Sequence, residues 1–256
     1  SEFDIIHSHA SFIPFPHSDK TATPNIHTLH NFMPRPTEQE NDIFRRYRHL
    51  NFVSISNDFR RHFDLNYVAT VYHGTQLPPQ YSTQEGEYLF WIGRVNKNKG
   101  ELDAIEAAKL AGEKLVMALS IRDDTREYVE TKIRPKATAT ITLLENIPFD
   151  DVWGLYARAK ALIFPIWWDE PFGMVMIEAM ACGTPVIAYG RGSAREIVKD
   201  GVTGFIVDPK LGLDGLVEAV KRLSEIDRAA CRKDVEERFN VEKMVDRYEE
   251  VYSRFL

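Results

Sequence analysis

The sequence predicts an α/β protein whose second half is a doubly wound parallel sheet. Three observations carry the prediction. From Tyr88 onward, short apolar runs alternate with segments of helical length, the pattern of consecutive βα units. The first half holds shorter strand-like runs, the first two of which end in His. Between the halves, residues 73–86 are rich in Pro and Gly and lack periodicity, which reads as a linker and puts a boundary near residue 80.

Residues 3–9 read as a strand with His9 emerging at its carboxyl end, the edge where open α/β sheets hold ligands. His7 and His9 lie two apart and share a face, a spacing that also suits a metal. No matching carboxylate or third ligand follows, so no metal is expected. Residues 25–30 form a second strand with His30 at the equivalent edge, a weaker site candidate. Thr37 and Glu40 make a capping box that opens a helix to about residue 49. Residues 52–56 form a third strand, with Ser56 or Asn57 capping the short helix after it, and residues 66–72 a fourth. All eight histidines lie at or before His73, which sets the halves apart in composition and is read as chance.

In the second half, strands are expected at 88–92, 115–119, 140–144, 161–165, 185–188 and 204–207. Helices are expected at 101–111, 125–134, 150–158 and 174–182, with others from 194 and from 213 onward. The last segment aligns Val241, Met244, Val245, Tyr248, Val251, Tyr252 and Phe255 on one helical face.

Bulk properties narrow the function. A length of 256 residues, 44% apolar, suits one or two domains with a real core. A net charge of −6 without a Lys/Arg stripe argues against nucleic acid as a partner. Cys182 and Cys231 form neither a disulfide framework nor a zinc spacing, which points to a reducing, cytoplasmic compartment. Glu178 interrupts the longest apolar run, so no transmembrane helix is expected, while peripheral membrane contact stays open. The chain begins Ser-Glu-Phe-Asp-Ile-Ile, as if inside a domain.

Chemistry concentrates in residues 168–188. Pro171 and Gly173 precede a helix that Gly183 and Pro185 stop, and its residues are apolar apart from Glu178. An ionised carboxylate in such surroundings needs hydrogen-bond donors. The amides of Gly173, Met174 and Val175 have no intrahelical acceptor, which makes the helix start an anion site. Gly93-Arg94 and Lys99-Gly100 put positive charge at the carboxyl edge of strand 88–92, either as a solvated basic loop or as further donors to the same anion.

The run Glu-Pro-Phe-Gly-Met-Val-Met-Ile-Glu-Ala-Met-Ala-Cys-Gly-Thr-Pro-Val-Ile-Ala, from Glu170 to Ala188, resembles the signature of glycosyltransferase family 4, the retaining sugar-nucleotide transferases of the GT-B fold (glycosyl transferases group 1). The resemblance implies that Glu170 lies by the donor sugar and that Glu178 binds the ribose hydroxyls. It also puts Phe172, Gly173, Met174 and Val175 at the donor, and makes Arg94 and Lys99 its diphosphate clamp. Residues 146–149 match the place where family members receive the base through backbone contacts, and residues 190–196 match a glycine-rich turn with Ser193 where a glycine is common. Asp4-x-x-His7-x-His9 resembles the strand end whose second His contacts the donor sugar, which implies His9.

The activity implied is metal-independent, retaining transfer of a hexose from a UDP- or GDP-sugar, with no other cofactor. The acceptor would be a hydroxyl of a sugar, a lipid-linked sugar or a small molecule. The implied layout is a partial Rossmann-like first domain at 1–79, a nucleotide-sugar-binding domain at 80–238, and a helix at 239–256 returning to the first domain. The first half of the N-terminal domain would be absent, which leaves self-association through the truncated domain open. At Leu119-Ser120-Ile121 the family's glycine-containing loop is missing. The alternatives are a non-catalytic nucleotide-sugar-binding fragment, one component of a split protein, or a GT-B epimerase. The epimerase needs acid and base carboxylates around the sugar, and only Glu170 is found there.

Overall fold

A computed structural model describes residues 2–31 and 38–256. Thr37 and the side chain of Glu40, the expected capping box, lie outside the described residues. The chain divides into two compact units, Ser1–Gly74 with Phe239–Leu256, and Thr75–Arg238.

In the first unit β1 (Ile6–Ser8), α1 (Phe15–Ser18), β2 (Asn25–Thr28), α2 (Glu38–Arg46), β3 (Asn51–Ser54) and β4 (Tyr67–Thr70) build a four-stranded parallel sheet in the order β1-β2-β3-β4. β1 is shorter than residues 3–9, because Ser8 Oγ already accepts the Ala10 amide at 3.2 Å and turns the chain. Ser56 Oγ accepts the Phe59 amide at 3.1 Å and so caps the turn at Phe59–Arg61. Phe15 packs edge-on against His27 and Phe52 over one face of the sheet.

The second unit holds six parallel strands with helices between them. They are β5 (Tyr88–Arg94), α3 (Glu101–Ala111), β6 (Leu115–Ser120), α4 (Asp123–Tyr128), β7 (Ile141–Glu145), α5 (Phe149–Arg158), β8 (Ala159–Phe164), α6 (Met174–Ala181), β9 (Val186–Tyr189), α7 (Ala194–Ile197), β10 (Gly204–Val207), α8 (Gly212–Lys221) and α9 (Arg228–Arg238). The order β10-β9-β8-β5-β6-β7 starts in the middle and winds outward both ways, so the topological switch point falls between β5 and β8. Leu89, Phe90 and Trp91 of β5, Ala161 to Phe164 of β8, and all of β9 are buried, as befits strands covered on both faces. The helix expected at 125–134 instead runs from α4 into a π turn at Val129–Ile133 that buries both end residues, and Pro135 then prevents continuation.

The stretch expected as a free linker is bonded into the second unit. Arg228 donates to the Ser82 carbonyl at 3.0 Å and Arg232 to the Pro78 carbonyl at 3.0 Å, which is why the division falls between Gly74 and Thr75. The terminal helix α10 (Val241–Tyr252) belongs to the first unit, where Met244, Tyr248, Tyr252 and Phe255 pack with Val251 against Ile26, Val53 and Val71. Val241 and Val245 do not join them. They remain 39% and 44% exposed, because they fall at the margin of the stripe that the larger side chains fill.

Among the carboxylates and histidines, the groups with the largest shifts have opposite pH dependences in the two units. Burial lowers His7, His27 and His73 of the first unit to about 4, against an ordinary 6.5. A base with a depressed folded pKa contributes its full stability above pH 6.5 and loses it as pH falls toward 4. In the second unit burial raises Glu101 to about 7, so its contribution is complete below the ordinary carboxylate value and is lost as pH rises through 7. All four tryptophans lie in the second unit. Hydrogen-exchange protection of β1 to β4 is therefore expected to fall between pH 6.5 and 4 while tryptophan fluorescence stays native; loss of both signals at one pH would contradict the assignment.

Candidate active site

The start of α6 is shaped by Gly173, whose φ of +81° strains any residue with a Cβ and lets the chain turn sharply into the helix. No side chain caps this end, so its first amides are left to backbone turns or to a ligand. Along the helix Met176, Ile177, Ala179, Met180 and Ala181 are fully buried, while Met174 and Val175 are half-buried. Glu178 is half-buried as well. Its Oε2 accepts the Tyr156 hydroxyl at 3.0 Å, from a fully buried ring on α5. Burial raises the Glu178 pKa and this hydrogen bond opposes the shift. Tyr156 had no signature of its own in the sequence, because its role follows from α5 packing beside α6.

At the switch point, the loops after β5 and β8 meet. Lys99 Nζ lies 2.7 Å from Glu170 Oε2, with side chains 20% and 15% exposed, and stands 5.0 Å from the Trp168 ring centroid. The backbones are joined too. The Trp167 amide donates to the Asn98 carbonyl at 2.8 Å, and Trp91 Nε1 donates to the Lys99 carbonyl at 3.2 Å. Beneath them, buried Glu101 accepts the Asn96 amide at 2.7 Å and holds the turn at Lys97–Lys99.

The loop after β9 supports Glu170 from the other side. Gly192 has φ +52°, and a Cβ there would come within 2.4 Å of the Glu170 nitrogen. Ser193 donates its amide to the Glu170 carbonyl at 3.0 Å and its hydroxyl to the Phe172 carbonyl at 2.6 Å. The residue that stands where a glycine is common is thus a brace for the carboxylate loop.

Beyond Arg94, which ends β5 in register with Ser120 instead of lying in the loop after it, a cavity of about 420 Å³ opens at the ends of β5, β6 and β7. Arg94, Ser120, Asn146, Ile147 and Phe149 are among its walls. Leu119 and Ser120 end β6 instead of forming the expected loop, and Asn146, at φ +48°, shapes the turn after them by accepting the Ile121 amide on its Oδ1 at 3.0 Å.

The residues expected at a donor divide as follows. Lys99, Glu170, Gly173, Met174, Val175 and Glu178 sit on the switch-point loops and α6, and Arg94 lines the cavity. The Phe172 side chain is 2% exposed and belongs to the core, so only its backbone is available to a ligand. His9 belongs to the first unit, where it follows β1 and its Nδ1 lies 2.7 Å from His30 Nε2. Among the described residues no group of three or more His, Cys, Asp or Glu side chains could hold a metal ion, and no helix is long and apolar enough to cross a membrane.

Two parallel α/β sheets, the second with cationic and carboxylate groups at its switch point, define a GT-B type protein. The chain belongs to the glycosyl transferases group 1 family, whose model matches residues 76–238. It is 28% identical over 97% of its length to the glycosyltransferase MJ1178 of Methanocaldococcus jannaschii, covering 75% of that protein. It is 28% identical over 70% of its length to N-acetyl-alpha-D-glucosaminyl L-malate synthase of Bacillus anthracis, covering 48% of it, and spans 47% of YtcC of Bacillus subtilis at 27% identity. The chain thus covers about half the length of those two relatives. Among solved structures, sucrose-phosphate synthase of Thermosynechococcus elongatus superposes with a TM-score of 0.83 at 20% identity, over 99% of this chain and 74% of that one. Anabaena HepE in complex with UDP and glucose superposes with a TM-score of 0.82 at 19% identity, over 99% and 78%.

Tyr156→Phe removes a donor from a half-buried carboxylate without changing the ring. It is expected to destabilise the second unit by about 1 to 3 kcal/mol at neutral pH and to raise the Glu178 pKa further. Urea unfolding followed by tryptophan fluorescence at pH 4, below the ordinary carboxylate value, and at pH 8 checks both, since the loss shrinks where Glu178 is protonated. An equal loss at both pH values would assign Tyr156 to packing alone.

Proposed function

We propose that the protein transfers a hexose from a nucleoside diphosphate sugar, with UDP or GDP as the nucleotide, to a hydroxyl acceptor with retention at the anomeric carbon and without a metal ion. One observation carries this reading: Lys99 and Glu170 meet at the switch point of the second sheet, beside the uncapped start of α6 and close in the fold to the Arg94 cavity. A sugar nucleotide needs those chemistries together, cations and amides for the diphosphate and carboxylates for hydroxyls.

As the bond from the anomeric carbon to the diphosphate breaks, negative charge grows on the leaving phosphate oxygens. Lys99, Arg94 and the amides of Gly173 to Val175 would stabilise that charge, the part a divalent cation takes in other transferases. Glu178 would accept the ribose hydroxyls, held in place by Tyr156, and Glu170 would accept sugar hydroxyls once its loop is fixed by Gly192 and Ser193. His9 is assigned to the donor sugar on the strength of the Asp4-x-x-His7-x-His9 pattern. The similar proteins fit this chemistry, one being an N-acetyl-alpha-D-glucosaminyl L-malate synthase and another holding UDP and glucose.

Arg94→Ala is expected to weaken UDP or GDP binding by about 10- to 100-fold, the equivalent of about 1.5 to 3 kcal/mol for a charge-assisted hydrogen bond, and to leave uridine or guanosine binding within about twofold. Calorimetric titration of both ligand classes checks this. Equal losses for nucleoside and nucleotide would move Arg94 from the diphosphate to the base. Nucleotide binding without sugar transfer or donor hydrolysis would favour a binding module over an enzyme.

A further inference from the structure

Three of the eight histidines stand in one hydrogen-bonded line at the carboxyl edge of the first sheet. His9 follows β1, His30 follows β2 and His73 follows β4. His9 Nδ1 lies 2.7 Å from His30 Nε2, and His30 Nδ1 lies 3.3 Å from His73 Nε2. The ring planes are nearly parallel, within 21° and 8°, with centroids 5.0 and 5.1 Å apart, as rings that meet edge to edge through their nitrogens require. His7, whose ring centroid is 4.2 Å from that of His9, does not compete for these nitrogens, because its own are taken by the Tyr252 hydroxyl at 2.7 Å and Thr28 Oγ1 at 2.8 Å.

A neutral imidazole carries one N–H and one lone pair, and all three rings are held neutral at pH 7. Burial lowers His73 to about 4 and also lowers His9 and His30, with the neighbouring rings adding to the shift in His30 and His73. His30 has both nitrogens engaged, so one must donate and the other accept. The line can therefore be filled in only two ways. In the first, His9 Nδ1–H donates to His30, His30 Nδ1–H donates to His73, and His9 Nε2 is a lone pair. In the second, every bond is reversed and His9 Nε2 carries the proton. The two arrangements differ by one proton shifted along each internal bond, with His9 Nε2 bare and His73 Nδ1 protonated in the first and the reverse in the second, and each ring is neutral in both.

We propose that His30 and His73 are positioning residues that set, through this chain, whether His9 Nε2 meets a ligand hydroxyl as a hydrogen-bond acceptor or as a donor. The place of that hydroxyl is set by a cavity of about 270 Å³ bordered by His9, His30, Ser11 and Asn31 on its polar side and by Phe12 and Phe44 among its apolar walls. The consequence for sugar transfer rests on His9 being a ligand contact, as proposed above. The coupling itself is a property of the free protein.

The test is a long-range proton–nitrogen NMR correlation of the histidine rings in the whole chain, labelled with nitrogen-15 at histidine, at pH 7.5. In the unsubstituted protein His9, His30 and His73 are expected to share one tautomer, all Nδ1–H or all Nε2–H. In His73→Leu, with the backbone spectrum otherwise retained, His9 is expected to populate both tautomers, because its hydrogen bond runs to His30 and the order of the line is lost beyond it. Mixed tautomers in the unsubstituted protein, or an unchanged His9 in His73→Leu, overturn the proposal. If His73→Leu does not fold, acid titration of the unsubstituted protein decides: the three rings must shift over one shared pH range, and independent curves overturn the coupling. Titrating UDP or GDP into the same sample tests the donor reading separately, so either can fail alone.

Discussion

The ion pair between Lys99 and Glu170 fixes the geometry on which the candidate site depends. The partners lie 71 positions apart, on the two loops that leave the switch point of a doubly wound sheet, the crevice where such sheets take ligands. Each loop is also held by its backbone, through the Trp167 amide on the Asn98 carbonyl and through Ser193 on Glu170 and Phe172. Removing either charge would leave the other largely buried without its partner, a costly state that keeps the two loops together. A diphosphate approaching Lys99 would therefore compete with a carboxylate already in place and, on displacing it, would leave Glu170 oxygen atoms for the sugar. Binding of the nucleotide and readiness for the sugar would then be one event.

Glu178 shows a second way to keep a carboxylate in an apolar setting. α6 is buried along most of its length, and the one charged side chain it carries is met by a hydroxyl from the neighbouring helix. Glu170 is balanced by a cation and Glu178 by a neutral donor. On the proposed function, the first arrangement would answer to the charge of a ligand and the second would hold a hydroxyl-binding group in one orientation. That division suits a ligand with an anionic middle and polar, uncharged ends.

Much of the fold was legible in the sequence because parallel sheets write their strands as short apolar runs and their helices between them. Nearly every element of the second unit lies within a few residues of its expected place, and Gly173, Gly183 and Pro185 bracket α6 as glycine and proline chemistry requires. What escaped depends on which loops meet. Nothing local marks Lys99 and Glu170 as partners, Tyr156 as a donor to Glu178, or Gly192 and Ser193 as the support of Glu170. The π turn after α4 and the exposure of Val241 and Val245 escaped for a related reason, since burial against a particular neighbour decides them. The histidines are the clearest case. Their enrichment looked like composition, and only the parallel order of β1 to β4 brings His9, His30 and His73 into one line.

The claim that a diphosphate lodges on Lys99 at the switch point is tested most directly by the affinity of Glu170→Gln for UDP or GDP, measured by calorimetry at fixed ionic strength. Releasing Lys99 from its carboxylate should tighten binding of the nucleotide about three- to tenfold, roughly 0.7 to 1.4 kcal/mol, and a second substitution, Lys99→Ala, should abolish the gain. Unchanged or weaker binding by Glu170→Gln, or a gain that survives Lys99→Ala, would place the diphosphate elsewhere and contradict the account.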